Sequence, residues 1–240
     1  MIKFETHAHS FGTSTCADCP LDRAVEIFKE HGYGGVAIIN HISSHSFKYM
    51  GGSTYKENCD LFFEYYRKTK ERFNASGIKT LFGAEVRAVL DDKNTVEYAI
   101  IGLDEKYFYE KPLFDCTQKE LFNIAEKNHA FMYQTHPFRT GVFSGDPRYM
   151  HGAEAFNGHY HHINNNDLAN KFCEENNLIK MSGSDFHHAD QPLTGGIYLP
   201  EHVDDEKKYA EFLLGGKFEL ICEKETYLDR LNLFRREKND

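Results

Sequence analysis

Short apolar runs alternate with stretches of helical periodicity along most of the chain. Residues 3–9 and 36–41 read as strands, and between them Pro20 to Phe28 carries a helical spacing that Gly32 ends. Leu61, Phe62, Tyr65, Tyr66 and Phe73 keep a helical period over residues 56–75, a stripe that reads as core packing. Lys79 to Val86 then returns as a strand. Further strands are expected over 96–103, 130–136, 154–156, 179–182, 197–199 and 218–221, and helices over 118–127, 168–175 and 204–214. Asn164 to Asp167 can cap the helix that starts at Leu168. Such alternation predicts a mainly parallel sheet, and parallel sheets place their sites beyond the C-terminal strand ends.

Ligand-type side chains stand at those ends. His7 and His9 are two apart on a strand, so both leave the same face and can converge on one ion. Asp185 and His187 repeat that spacing. His41, Glu85 and His136 each end an apolar run, where a metal ligand and a hydrogen-bonded structural group are both open readings. Imidazoles mixed with carboxylates suit Zn, Mn or Fe rather than Ca or Mg. Cys16-Ala17-Asp18-Cys19 has the C-x-x-C spacing, but without a second such pair it reads as two buried thiols flanking Asp18. His159, His161 and His162 form a loop cluster in which His159 is taken as a candidate proton donor. Arg139 either grips a phosphate as a bidentate donor or closes a barrel salt bridge. Phe47, Tyr49, Tyr160 and Phe186 are open to two readings, pocket wall and core.

The 240 residues carry a formal charge of -9, so no positive field draws nucleic acid; short oligonucleotides remain the exception. No run approaches the ~18 apolar residues of a membrane span, and no apolar segment of signal-peptide type follows Met1. Six scattered cysteines do not form a disulfide framework, which makes a reducing cytoplasm the expected compartment. Residues 1–240 are read as one domain, with 223–240 a charged helix or tail. No P-loop, nucleophile elbow or dinucleotide fingerprint is present.

In their order, His7-x-His9, Ala37-Ile38-Ile39-Asn40-His41, Gly83-x-Glu85, His136-Pro137-Phe138-Arg139 and Gly183-Ser184-Asp185-Phe186-His187 resemble the motifs of the PHP (polymerase and histidinol phosphatase) family. The resemblance covers roughly residues 3–200. It implies an α/β fold, a distorted (β/α)7 TIM-like barrel, with two or three divalent ions (Zn, Mn or Fe) at the C-terminal strand ends. By that resemblance His7, His9, Glu85 and Asp185 hold one ion, Glu85 and His136 a second, and Asp18, His41 and His187 a third. Glu5 and Asn40 stand where the family usually has Asp, and the strand after Glu85 lacks the histidine that some members place there. The implied activity is hydrolysis of a small phosphorylated substrate by a metal-activated hydroxide. Two other readings stay open: an amidohydrolase cleaving C–N bonds, which the missing strand-end lysine disfavours, and a non-catalytic metal-binding regulatory module.

Overall fold

The structure is a computed structural model that describes residues 1–90 and 94–238. Ten strands and eight helices occur among the described residues. They are β1 (Ile2–Ala8), α1 (Leu21–Glu30), β2 (Gly35–Ile38), β3 (His41–Ile42), α2 (Ser44–Met50), α3 (Tyr55–Asn74), β4 (Lys79–Val89), β5 (Thr95–Ile101), α4 (Lys106–Glu110), α5 (Gln118–Lys127), β6 (Phe131–Gln134), β7 (Gly152–Asn157), α6 (Asn166–Glu175), β8 (Ile179–Gly183), β9 (Gly195–Leu199), α7 (Glu206–Leu214), β10 (Leu220–Cys222) and α8 (Lys224–Glu237). The sheet order is β10-β9-β1-β2-β4-β5-β6-β7-β8, with β3 paired to β4.

This sheet curls into a nearly closed, distorted TIM-like barrel. At the seam, His9 N donates to the Phe186 carbonyl (2.9 Å), Phe186 N to the His7 carbonyl (3.1 Å) and Thr6 Oγ1 to the Ser182 carbonyl (2.5 Å). Gly195 lies against Gly183, where a Cβ would meet the Gly183 carbonyl carbon at 2.2 Å. Only glycine permits that approach. The expected parallel pattern is broken twice, because β5 and β9 run against the other strands. The strand expected over 36–41 divides into β2 and β3, and the short helices α2 and α4 were not anticipated.

Alternation along the strands sorts two cores. Ala37, Leu81, Ala99, Phe131, Tyr133 and Met181 fill one cluster, while Val36, Ile38, Phe82, Ile100 and Met132 pack in another with residues of the helices. Tyr209, Ala210 and Leu213 of α7 join the first cluster beside Phe4, and Phe4 and Tyr209 meet edge to face at 5.1 Å. That contact lies toward the start of β1. The ligand-type residues lie at the other end. The charged C-terminal stretch forms α8, whose Tyr227 and Leu231 pack on Phe156 and Tyr160.

Candidate metal centre

The first cage of donors comes from three strands. His7 Nε2 lies 3.0 Å from His9 Nε2, 3.2 Å from Asp185 Oδ1 and 3.6 Å from Glu85 Oε1. His9 Nε2 lies 3.5 Å from Asp185 Oδ1 and 3.6 Å from Glu85 Oε2. All four residues are buried. An ion bound at about 2.1 Å by tetrahedral nitrogen and oxygen ligands separates them by roughly 3.4 Å. Spacings of 3.0 to 3.6 Å among four buried donors therefore match an ion's coordination shell.

A carboxylate beside the cage fixes which nitrogen His7 turns toward it. His7 Nδ1 donates to Glu154 Oε1 at 2.6 Å, which holds the ring with Nε2 facing the cage. Glu154 also accepts from His136 N (2.8 Å) and Asn157 Nδ2 (2.9 Å). Asp185 and His136 both sit at positive φ, +52° and +33°, a costly conformation for non-glycine residues. At Asp185 the resulting carbonyl accepts from His159 Nδ1, His187 Nδ1 and Gln191 Nε2, each at 2.9 Å.

Beside the cage, His136 Nε2 lies 3.1 Å from Glu85 Oε1 and 3.7 Å from Glu97 Oε2. Glu97, on β5, stands near the position for which no histidine was found, and it escaped the sequence reading because a carboxylate on an exposed-to-buried strand start looks like surface. His9, His41 and His187 form a third group, with the His9 ring stacked 4.2 Å from each of the other two. His41 Nδ1 lies 2.6 Å from Glu85 Oε2. The buried Nδ1 atoms of His9 and His136 have no hydrogen-bond partner among the described residues.

Asp18 does not join this third group. Its side chain is 70% exposed and accepts from His188 Nδ1 at 2.9 Å. The backbone explains this: Asp18 N and Cys19 N both donate to the His187 carbonyl, which turns the Asp18 side chain outward. Cys16 is exposed rather than buried as expected; its thiol lies 3.0 Å from Ser14 Oγ, and the His187 and His41 rings act on it electrostatically. Cys16 is thus not the inert thiol that the C-x-x-C reading suggested, whereas Cys19 is buried. Arg139 Nη2 donates to Asp185 Oδ2, so the salt-bridge alternative describes its placement. Phe47 and Phe186 are buried in aromatic clusters, and Phe186 also borders a small cavity beside His9. Tyr160 is also buried, and Tyr49 is exposed.

Charge follows geometry. Burial disfavours the His7 imidazolium, yet Glu154, Asp185 and Glu85 outweigh it and raise the ring to about 10. Burial and the neighbouring His187 and His41 hold His9 well below the usual histidine range. Asp185 and Glu85 stay ionised despite burial, Asp185 through His7 and Arg139 and Glu85 through His41 and His7. Burial keeps His159 neutral, and a neutral ring whose Nδ1 proton is engaged by a carbonyl offers a lone pair at Nε2. That state suits a base or a ligand, not the proton donor expected from the loop cluster.

No family model matches this chain. No curated protein matches it either. Among solved structures it is similar to a two-domain protein from Bacteroides vulgatus containing a predicted PHP-like metal-dependent phosphoesterase (23% identity, TM-score 0.54), covering 78% of this chain and 52% of that one. The chain therefore spans about half the length of that protein. It is also similar to an amidohydrolase from Chromobacterium violaceum (13% identity, TM-score 0.55, covering 93% and 99%). A third neighbour is the lesion-specific endonuclease PfuEndoQ from Pyrococcus furiosus (13% identity, TM-score 0.56, covering 91% and 57%). The fold is that of the PHP-like phosphoesterases. Fold alone does not choose among these chemistries.

Proposed function

We propose that this chain is a metal-dependent hydrolase of phosphate esters. The observation that carries the reading is the buried cage of His7, His9, Glu85 and Asp185, whose spacings suit a single ion. Glu85, His136 and Glu97 would hold a second ion, and His41, His187 and Cys16 a third, with Cys16 in the role first given to Asp18. Zinc, manganese or iron bound there would supply charge to phosphoryl oxygens and lower the pKa of a water to about 7.

The protein's own groups prepare that chemistry. Glu154 holds His7 in the tautomer that presents Nε2. Arg139 and Asn157 occupy Asp185 Oδ2, leaving Oδ1 toward the two histidines. Arg87, half-exposed and paired at 2.6 Å with the Glu97 that neighbours His136, is a cation for a phosphate to meet. A net charge of -9 favours a small phosphorylated substrate over long nucleic acid, although an endonuclease shares the fold. Against the amidohydrolase reading, no lysine is among the buried polar residues described.

Phosphate release from a panel of small phosphate esters, with added Mn or Zn, tests the proposal. Turnover should require metal and fall to the metal-free background in an Asp185→Asn/His187→Asn double variant that still folds. Release of ammonia or a free carboxylate without phosphate would move the assignment to C–N hydrolysis. Full metal content with no turnover across the panel would leave a binding module.

A further inference from the structure

A second group of imidazoles stands outside the cage. His159 and His161 follow β7 and His188 follows β8, and each can offer one nitrogen within 4.8 Å of the others. Their ring centroids lie 5.2 Å (His159–His161), 4.9 Å (His161–His188) and 5.8 Å (His159–His188) apart. The two loops are tied together by the Tyr160 hydroxyl, which donates to Asp190 Oδ2 at 2.5 Å. From α8, Phe234 stacks on the His161 ring at 4.4 Å and 22°. The cluster is held by contacts from three segments.

The hydrogen bonds say more than proximity does. His159 Nδ1 faces the Asp185 carbonyl at 2.9 Å, and a carbonyl can only accept, so this nitrogen carries the proton and Nε2 the lone pair. His188 Nδ1 likewise donates to the Asp18 carboxylate at 2.9 Å, so its Nε2 is the nitrogen left for an ion. An imidazole that donates one nitrogen to a carbonyl or carboxylate and turns the other to a cation is the usual setting of a metal-binding histidine. Two of the three rings meet that condition before any ion is considered. Asp18 has a use here that it lacks in the inner centre.

We propose that His159, His161 and His188 form a separate site for a divalent transition metal of the zinc class, bound through three neutral imidazoles with a further position open to water. All-imidazole donors favour zinc, copper, nickel or iron over magnesium and calcium. His161 and His188 are partly exposed, which gives the ion a path from solvent. The inference is independent of the phosphoesterase reading, because it concerns binding rather than turnover.

Metal stoichiometry tests it. The chelator-stripped protein is dialysed against Zn, and bound equivalents are counted for the wild type, His161→Gln, His188→Gln and Asp185→Asn. Each histidine variant should bind one equivalent less than the wild type while its circular dichroism is unchanged. Asp185→Asn keeps the backbone carbonyl that holds His159, so a cobalt-loaded sample should lose inner-centre signal yet respond to a further His161→Gln change. Equal equivalents in the wild type, His161→Gln and His188→Gln would overturn the site. Failure of the phosphoesterase reading would show instead as absent turnover with this equivalent still present.

Discussion

An acceptor-only partner reveals where an imidazole keeps its proton, and that rule orders the centre residue by residue. Glu154 sets His7, and the Asp185 carbonyl sets both His159 and His187. His187 Nδ1 is engaged by that carbonyl, and the rings of His187 and His41 act on the Cys16 thiol. Desolvation raises the Cys16 thiol, but the His187 and His41 rings outweigh it and bring the pKa down to about 5. A thiolate there would be a soft ligand where the resemblance implies a hard carboxylate. Cobalt-loaded protein should accordingly show thiolate-to-metal charge-transfer absorption in the near ultraviolet. Cys16→Ser should abolish the band and Asp18→Asn should leave it. Persistence of the band in Cys16→Ser would falsify the assignment.

At the scale of elements, capping chemistry is as informative as periodicity. Thr117 Oγ1 accepts from Glu120 N at 3.3 Å while Glu120 Oε2 accepts from Thr117 N at 2.8 Å, a reciprocal cap that starts α5 where the periodicity placed it. Thr117→Ala should cost about 1 kcal/mol, measured as a lower urea midpoint with an unchanged slope; a midpoint equal to the wild type would contradict it. The long amphipathic stretches were legible: the helix expected over 56–75 is α3 at Tyr55–Asn74, and that over 118–127 is α5. Strand direction was not, since period-two burial is the same for a parallel and an antiparallel strand, and β5 and β9 turned against the rest unannounced. Three residues of the centre were hidden for three different reasons. Glu97 reaches it only because β5 is antiparallel and brings its start beside His136. Glu154 is a carboxylate in an apolar run, a signal that was present but was read as one strand residue among others. Cys16 and Asp18 are two apart in a loop, and only the backbone bonds to the His187 carbonyl decide which of them faces the His41 and His187 rings.

For the whole molecule, the centre depends on how the barrel closes. Its donors come from β1, β4 and the ends of β6 and β8, so their spacing is set by the seam where β8 meets β1 and β9. Two glycines define that seam. A Cβ on Gly195 would meet the Gly183 carbonyl carbon at 2.2 Å and oxygen at 2.4 Å, and a Cβ on Gly183 would meet His7 Cβ at 2.5 Å. Neither obstacle is the end of a flexible side chain, so the strands themselves must separate. Gly195→Ala should then destabilise the protein by about 1–3 kcal/mol, a fall in melting temperature of roughly 2–12 °C for a domain of this size. Because Gly183 leads directly into Asp185, the displacement should pass to the cage and weaken metal binding in the same variant. Thr117→Ala lies far from the seam in sequence and provides the control: it should lower stability while leaving metal affinity alone. Calorimetry with and without zinc separates the two effects, since a ligand that binds only the folded state raises the melting temperature by an amount that grows with the logarithm of its affinity. A zinc-induced rise that is as large in Gly195→Ala as in the wild type would show that closure and ligand geometry are uncoupled.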